Sequence, residues 1–530
     1  MVFARRSTTL LAAIIASCAM VLSLTACTSD NKTVVDGQTT VTSNSAGGGI
    51  TLNQQMPLNK WAKLVPDLTK ALVDAGFKKG DINHTTSDSL DKQSRAIQDF
   101  VVDHLSNNTT DDSGIAIAPD NMTLLVAPVV EADASTRQYG DYVSQNLSTN
   151  DVTDEGATSD GESSEDDSSN TESDSTASDE QAQAVDRLVS SLKLAKESGM
   201  HVVLLGNSIE GYKPDAFVKF SDAQTIGKLQ AEKMVSKLKL DKASKDNPKY
   251  IEVLLPYTAM DEKGNANDST FAQEAFRGIW QVLGSYYQKG VVESPSGTLD
   301  GKSTENDWQA VAYDAAKEGS TAKVLDKRLA KTDGQSTLTR IDGIITMNDY
   351  IASEVVKELD DLGYTGSAAD INPQITISGI VGNITGKKDL SRDAVPDPIK
   401  SPENDNANDS SSSDDDADED TSASDKDRDS QWPLVTGYGA YVSNIPSIVN
   451  GKQWMTGMED RQTIATDIAQ ACAKLNKDEA LNSMPSIRNS EVGGVKKIPT
   501  ISEPLLAVSA SNLKSALIDP GYISLADAGL

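Results

Sequence analysis

Short apolar runs alternate along this chain with longer stretches in which apolar residues recur every three or four positions. The first pattern is typical of strands buried in a sheet, and the second of helices with one apolar face. Residues 341–364 show both in succession, because the run Ile341, Ile344 and Ile345 is followed by a stripe at helical spacing. A strand that leads directly into a helix predicts a parallel α/β sheet.

The same alternation is repeated along most of the chain and predicts two similar lobes. Before about residue 218 the pattern predicts the order β-α-β-α-β-α-β, and after it strands and helices alternate again. Doubly wound α/β lobes are built in this way. One ambiguity concerns the second lobe. ITISGIVG (375–382) and WPLVTGYGA (432–440) both have strand character, and the sequence does not show which of them joins the sheet.

A polar pair, Asn348 and Asp349, stands between the predicted strand and the predicted helix. In parallel α/β sheets, ligands bind beyond the carboxyl ends of the strands. An amide beside a carboxylate offers donors and acceptors to the hydroxyls of a sugar or of another polar small molecule. The same residue types also cap helix N-termini. Ligand contact and helix capping therefore both stay open from the spacing alone.

The composition limits the classes of partner. A chain of 530 residues predicts two or more domains. Its net charge of −31 argues against nucleic acid, because phosphate binding needs a basic surface. Much of this charge lies in two runs rich in Ser and Asp, at about 150–182 and 400–430, which we expect to be disordered acidic insertions. The first run has no EF-hand pattern, and no His/Cys cluster has zinc-ligand spacing, so we expect no metal site and no cofactor.

The start of the chain has the features of a lipoprotein leader. Two arginines precede an apolar run at 10–24, which is short for a membrane span. The following Leu-Thr-Ala-Cys resembles a bacterial lipobox, with Cys27 as the lipidated residue. We expect a signal peptide at 1–27, a flexible tether at 28–48 and a lipid anchor on the extracytoplasmic face of the membrane. The body then keeps only Cys472, which lies on an apolar helical stripe and is expected to be buried.

Several stretches resemble the type I periplasmic sugar-binding proteins of ABC transporters, especially the xylose-binding and multiple-sugar-binding groups. The resemblance covers most of 49–530 apart from the acidic runs, and the order of the stretches carries it. The stretches are ESGMHVVLLGN, FSDAQTIGKLQAEKMV, FAQEAFRGIWQVL, IDGIITMNDYIASEVVKELDDLGY, WPLVTGYGAYVSNIPSIVNGKQWMTGMEDRQTIA and KKIPTISEPLLAVSASNLKSALIDPGY. The last one is the most specific. Met56-Pro57, with Trp61 shortly after, resembles the family's first strand and loop.

The resemblance implies two Rossmann-like lobes joined by a three-segment hinge that closes over a ligand. The chain would cross between the lobes near residues 219, 459 and 499. A protein of this family would be a monomer that delivers its ligand to an ABC transporter permease. The N-terminal lobe would contain 49–218 plus 459–498, and the C-terminal lobe 219–458 plus 499–530.

Most ligand-site positions depart from the family pattern. Only Asn348 and Asp349 match it. The Asp-Arg pair that binds sugar hydroxyls in the family is absent from this chain. An Arg fork and a carboxylate are strong partners for hydroxyls, so their loss weakens a sugar site unless other groups replace them. The family's Asp-Arg pair is replaced here by Gly206-Asn207, and its Asn-rich turn by Ser269-Thr270-Phe271. Its Gln-Asp pair becomes Tyr438-Gly439, and its hinge Lys or Gln becomes Glu459.

Aromatic side chains are the remaining candidates for the site. Trp61 and Tyr438 would either offer flat faces to a sugar or belong to the core. Asp222, which precedes a predicted helix close to the first lobe crossing, is a further polar candidate. The candidate ligand-binding residues are Asn348, Asp349, Asn207, Tyr438, Trp61 and Asp222.

Two functions follow as expectations. The first is a lipid-anchored solute-binding protein of a carbohydrate ABC transporter. The alternative is a lipid-anchored surface or sensor protein that keeps this fold but has a changed or lost ligand site. An enzyme is not expected, because no activated nucleophile, phosphate-binding Gly-rich loop or catalytic dyad stands out in the sequence.

Overall fold

The computed structural model describes residues 50–54, 59–107, 122–130, 144–148, 172–260, 269–315, 317–330, 338–368 and 431–530. The predicted leader and tether, Cys27, the run at 400–430 and the stretch 375–382 lie outside these residues. The side chain of Trp61 also lies outside the described part, although its backbone is helical.

Strands and helices alternate through the described residues. The strands are β1 (Ile50–Gln54), β2 (Ile82–Thr86), β3 (Thr123–Val126), β4 (Asn146–Leu147), β5 (His201–Leu205), β6 (Ser208–Ile209), β7 (Ala216–Val218), β8 (Lys249–Val253), β9 (Leu255–Pro256), β10 (Val292–Glu293), β11 (Ala312–Tyr313), β12 (Gly343–Ile345), β13 (Leu434–Val435), β14 (Met455–Met458), β15 (Ile487–Val492), β16 (Val495–Ile501) and β17 (Leu506–Ser509). The α-helices are α1 (Asn59–Asp74), α2 (Leu90–Asn107), α3 (Glu172–Glu197), α4 (Ala223–Leu238), α5 (Thr270–Gln288), α6 (Trp308–Val311), α7 (Ser320–Arg328), α8 (Asp349–Leu362), α9 (Ile445–Val449) and α10 (Arg461–Leu475).

The first lobe contains a sheet of seven described strands in the order β15-β16-β7-β5-β3-β1-β2. Neighbours from β16 to β2 are parallel, and β15 pairs with β16 as an antiparallel hairpin. Every residue of β3 is buried, as the continuous apolar run TLLV predicts for a strand covered on both faces.

Helices cover both faces of this first sheet. Leu125 of β3 belongs to an apolar cluster with residues of α1 and α10, whereas the adjacent Leu124 belongs to another cluster with residues of α2 and α3. Successive side chains of a strand point to opposite faces, so the two helix pairs lie on opposite sides. Cys472 of α10 is buried in the first cluster, as predicted, and burial raises the pKa of its thiol.

The second lobe repeats this plan on a smaller sheet. Its four described strands are parallel, in the order β10-β8-β12-β13. Ile345 of β12 packs with residues of α4 and α5, and the adjacent Ile344 packs with residues of α7 and α8. The fold class predicted from the sequence is therefore confirmed, with two α/β lobes built on parallel sheets.

The described chain crosses between the lobes three times. It leaves the first sheet after β7 and enters α4. It returns from β14 into α10, and it leaves again from β16 into β17. Strands β14 and β17 pair with each other in antiparallel fashion. The backbone N–H of Lys219 donates to the carbonyl of Ile501 at 2.9 Å, which ties the first crossing to the third.

Some elements differ from the sequence prediction. Strand β2 fills the predicted place between the first two helices, but it is polar and mostly exposed at the sheet edge, so no apolar pattern marks its residues. The pattern around 308–316 predicts one helix, but α6 ends at Val311 and the chain then extends into β11. Helix α3 begins at Glu172, inside the range 150–182 that we expected to be disordered. The part of that range before residue 172 lies outside the described residues.

The ambiguity about the last strand of the second sheet is resolved in part. Strand β13, from the stretch 432–440, pairs in parallel with β12. In the part of the chain that is described, no helix has the length and apolar character needed to span a membrane.

Candidate functional site

The carboxyl end of β12 holds the polar pair predicted as a ligand contact. Asn348 is 2% exposed, and its Oδ1 accepts a hydrogen bond of 2.9 Å from the backbone N–H of Ile351. This is the geometry of an N-cap, so the capping role left open by the sequence is present at Asn348. Met347, just before it, has a φ of +68°, which turns the chain sharply out of the strand.

Asp349 is completely buried and accepts hydrogen bonds from its own chain. Its Oδ1 accepts from Gln453 Nε2 at 2.7 Å, and its Oδ2 accepts from Thr456 Oγ1 at 2.9 Å and from the backbone N–H of Tyr441 at 3.0 Å. Burial raises the pKa of Asp349 to about 6, although these hydrogen bonds act in the opposite direction. The carboxylate thus fixes the segment after β13 to the start of α8.

A second layer of amides supports Asp349. Asn444 Nδ2 donates to the Asp349 carbonyl at 2.7 Å and to Gln453 Oε1 at 2.9 Å. Gly437 lies against this group, because a Cβ there would be 2.2 Å from Asp349 Oδ1 and 2.5 Å from Gln453 Nε2. The network therefore requires a residue without a side chain at position 437.

Tyr438 joins the candidate site to the lobe connections. It is 2% exposed, its hydroxyl is 2.8 Å from Ser221 Oγ, and it donates to Glu459 Oε1 at 3.3 Å. Glu459 Oε1 also accepts from the backbone N–H of Ser221 at 2.7 Å and from its hydroxyl. Ser221 and Glu459 stand on the first and second crossings. Of the two roles considered for Tyr438, this geometry is that of a core residue at the lobe junction.

In the first lobe, Asn207 follows the carboxyl end of β5 and is 4% exposed. Its Nδ2 donates to the carbonyl of Pro128 at 2.9 Å, and its Oδ1 accepts from the backbone N–H of Gln145 at 3.0 Å. The side chain therefore connects the segments that follow β3 and β5, at the edge of the sheet where α/β proteins bind ligands.

Asp222 caps the N-terminus of α4 just after the first crossing. Its Oδ1 accepts from the backbone N–H and the hydroxyl of Thr225, at 2.7 and 2.6 Å, and its Oδ2 lies 2.9 Å from Lys219 Nζ. Burial acts to raise the pKa of Asp222, but the hydrogen bonds from Thr225 and Lys219 outweigh it and the pKa is lowered.

The candidates thus form two groups. Asn348, Asp349 and Tyr438 come together at adjacent strand ends of the second lobe, while Asn207 and Asp222 stand at a strand end and a helix start elsewhere. The sequence analysis missed the partners that hold the first group in place, because they lie between 95 and 217 positions away in the chain from the residues they contact and no local pattern marks them. These partners are Ser221, Asn444, Gln453 and Thr456.

A separate groove of about 680 Å³ lies at the amino ends of strands in the first sheet, opposite the carboxyl ends that Asn207 follows. His201 and Asp215, which line it, stand at the amino ends of β5 and β7, and none of the candidate residues lines it. Within the described residues, no group of three or more His, Cys, Asp or Glu is arranged to hold a metal ion.

No family model matches this chain, and no curated protein does. Solved structures similar to it include an ABC transporter solute-binding protein from Clostridium phytofermentans with bound β-D-glucose, at 16% identity and a TM-score of 0.46 over 90% of this chain and 99% of that one. A carbohydrate transporter solute-binding protein from Chloroflexus aurantiacus in complex with D-glucose has 17% identity and a TM-score of 0.45, over 92% and 98% of the two chains. A periplasmic ribose ABC transporter structure from Conexibacter woesei has 12% identity and a TM-score of 0.44, over 90% and 97%.

Proposed function

We propose that this protein is a lipid-anchored, extracytoplasmic solute-binding protein that delivers a carbohydrate to an ABC transporter permease. The observation that carries the proposal is the pairing of two parallel α/β lobes through three short connections, with polar candidates at strand ends in both lobes. Ligands of parallel α/β sheets bind at those ends. Two lobes joined only by short segments can close around a ligand by hinge motion.

The mechanism is a shift between open and closed forms. A sugar that contacts both lobes favours the closed form by the difference in its affinity for the two forms, and the permease then receives the closed protein. The hydrogen bonds between Ser221, Tyr438 and Glu459 fix two of the connections to each other. The candidate contacts in this proposal are Asn348, Asp349, Asn207, Trp61 and Asp222, while Tyr438 has the role of a core residue at the lobe junction.

The lipid anchor of the proposal rests on Cys27 and its lipobox-like context. In a bacterial host, the wild-type protein should fractionate with membranes and Cys27→Ser should not. Membrane attachment that survives this substitution would exclude Cys27 as the anchor point, and it would leave the sugar-binding proposal untouched.

A second candidate function is favoured by one specific observation. Asp349, which matches a ligand-site position of the sugar-binding family, is fully buried and accepts hydrogen bonds from Gln453, Thr456 and Tyr441 of its own chain. A protein whose own residues occupy this carboxylate fits a surface or sensor protein in which the ligand site is changed or lost.

A thermal-shift screen of the purified protein against mono- and oligosaccharides separates the two functions. A ligand present at one hundred times its Kd stabilises the folded protein by about 2.7 kcal/mol, which raises the melting temperature measurably. A response that titrates with one sugar supports the transport receptor and gives the ligand class. No response across the whole panel supports the alternative.

A further inference from the structure

The segment 519–530 is held on helix α9 of the second lobe. Ala528 of this segment is buried in an apolar cluster with Ile445 and Ile448 of α9. Tyr522 packs against the same cluster with part of its side chain. Because apolar contacts of this kind connect the segment to α9, we expect it to move together with the second lobe.

The same tyrosine also contacts the N-terminus of α10, a helix of the first lobe. Its hydroxyl donates a hydrogen bond of 2.8 Å to Asp460 Oδ1 and accepts one of 3.1 Å from the backbone N–H of Gln462. The guanidinium carbon of Arg461 lies 4.3 Å from the centre of the Tyr522 ring, which is the range of a cation–π contact. Beside it, Gln462 Nε2 donates to the carbonyl of Pro520 at 3.0 Å. This part of the second lobe is therefore bound directly to a first-lobe helix.

The N-terminus of α10 is in turn tied to the rest of the first lobe. Arg461 Nε donates to Asp67 Oδ2 of α1 at 2.7 Å, and only 17% and 23% of the two side chains are exposed. Charge-assisted hydrogen bonds such as this one are stronger than neutral ones. Helices α1 and α10 also share an apolar cluster. The two helices should thus move as one body, and a rotation of the lobes would displace both of them relative to Tyr522.

The contacts of Tyr522 differ from the hydrogen bonds between Ser221, Tyr438 and Glu459. Those bonds join two chain crossings to each other, whereas the Tyr522 hydroxyl joins a segment packed on α9 to a helix packed on α1. A hydrogen bond weakens steeply when its distance and angle leave the optimal range. A rotation of one lobe against the other must therefore break the bonds of this hydroxyl.

We propose that Tyr522 is a latch between the lobes, which favours the lobe arrangement of this structure over rotated arrangements. The inference goes beyond the proposed function, because the latch acts on the two-lobed fold with or without a ligand. A hydrogen bond to a charged group shifts an equilibrium by roughly tenfold or more. Loss of the hydroxyl should therefore raise the share of rotated molecules by about that factor.

The test is a distance measurement between two spin labels by double electron–electron resonance on the full chain. Lys70→Cys in α1 and Lys357→Cys in α8 place one label on each lobe, at exposed positions. Cys18→Ser and Cys27→Ser remove the cysteines of the predicted leader, and Cys472 is buried. This background should give one main distance between the labels.

Tyr522→Phe is the informative variant, because it keeps the ring beside Arg461 and removes only the hydroxyl. It should add a second distance whose share is roughly ten times that in the background. Tyr286→Phe is the matched control, because the Tyr286 hydroxyl donates to Asp241 Oδ1 at 2.6 Å and both residues lie in the second lobe. This control loses the same kind of hydrogen bond away from α10 and should keep the background distances.

The outcomes distinguish a latch from a purely local contact. A second distance in Tyr522→Phe that is absent from Tyr286→Phe supports the latch. If Tyr522→Phe keeps the background distances, the latch is refuted, and a lowered melting temperature would then mean that the hydroxyl only fixes the segment locally. If both variants gain the same second distance, the second lobe is loosened in general and the inference is wrong. No sugar is present in this experiment, so its result and that of the sugar screen can fail separately.

Discussion

The buried carboxyl group of Asp349 should give the second lobe an unusual dependence on pH. Its pKa is about 6 in the folded protein, against 3.8 for an ordinary aspartate. Between these values the folded protein holds a proton that the unfolded chain has released. Stability is therefore highest below about pH 4 as far as this group is concerned, and it falls as pH rises through 6.

The size of this effect follows from the difference in pKa. The folded and unfolded pKa values of Asp349 differ by about two, and a pKa difference of one corresponds to about 1.36 kcal/mol. The unfolding free energy should therefore change by about 3 kcal/mol between pH 4 and pH 7. Other carboxyl groups titrate in the same range, so the quantity to measure is the difference between the wild type and Asp349→Asn. The asparagine has nearly the same shape and does not titrate, and the contributions of all other groups cancel.

Urea unfolding followed by tryptophan fluorescence is a suitable assay. Four tryptophans lie in the second lobe and are buried, so the signal reports mainly on the lobe that contains Asp349. These are Trp280, Trp308, Trp432 and Trp454. We expect the stability of the wild type relative to Asp349→Asn to decrease by about 3 kcal/mol as pH rises from 4 to 7.

Asp222→Asn is a matched control in which stability should depend on pH in the opposite direction. Asp222 has a lowered pKa, so the stability that it contributes is present above its ordinary pKa and is lost as pH falls. The wild type relative to Asp222→Asn should therefore lose stability towards acid pH. The reasoning fails if the Asp349→Asn difference stays constant from pH 4 to 7, because burial would then not raise this pKa.

Two other predictions concern packing. Gly437→Ala would place a Cβ 2.2 Å from Asp349 Oδ1 and should destabilise the protein by about 1–3 kcal/mol in urea unfolding. Gly80→Ala is the control and should change stability little, because no atom lies within 4 Å of a Cβ at that position. Equal effects at the two glycines would refute the steric argument. Cys472 is buried with a raised thiol pKa, so a thiol reagent should count one more reactive cysteine after unfolding than before, and reaction of Cys472 in the folded protein would contradict its burial.

Apolar pattern was sufficient to predict most of the fold. The run ending at Ile345 and the helical stripe after it became β12 and α8, and the run TLLV became β3. Burial drives both patterns, so elements with little burial escape them. Strand β2 is the clearest case: the predicted order has a strand at its place, but no apolar pattern marks its residues, because it pairs with β1 at the sheet edge and most of its side chains stay exposed.

The candidate site was predictable only in its location. The sequence placed Asn348 and Asp349 at a strand end, and both are there. Whether Asp349 faces a ligand or the interior depends on Gln453 and Thr456, which lie more than one hundred positions later in the chain. No local spacing encodes such a contact.

The third chain crossing also has a consequence for biosynthesis. Strand β16 lies between β7 and β15 in the first sheet, but its residues Val495–Ile501 are translated after nearly the whole second lobe. Until they emerge, the edge of β7 stays unpaired, and α1 lacks its neighbour α10 from the same late segment. An unpaired parallel strand edge invites aggregation. The N-terminal lobe is therefore completed only after nearly all of the second lobe has been made, and a truncation that removes β15 and β16 should damage the half of the protein that is made first.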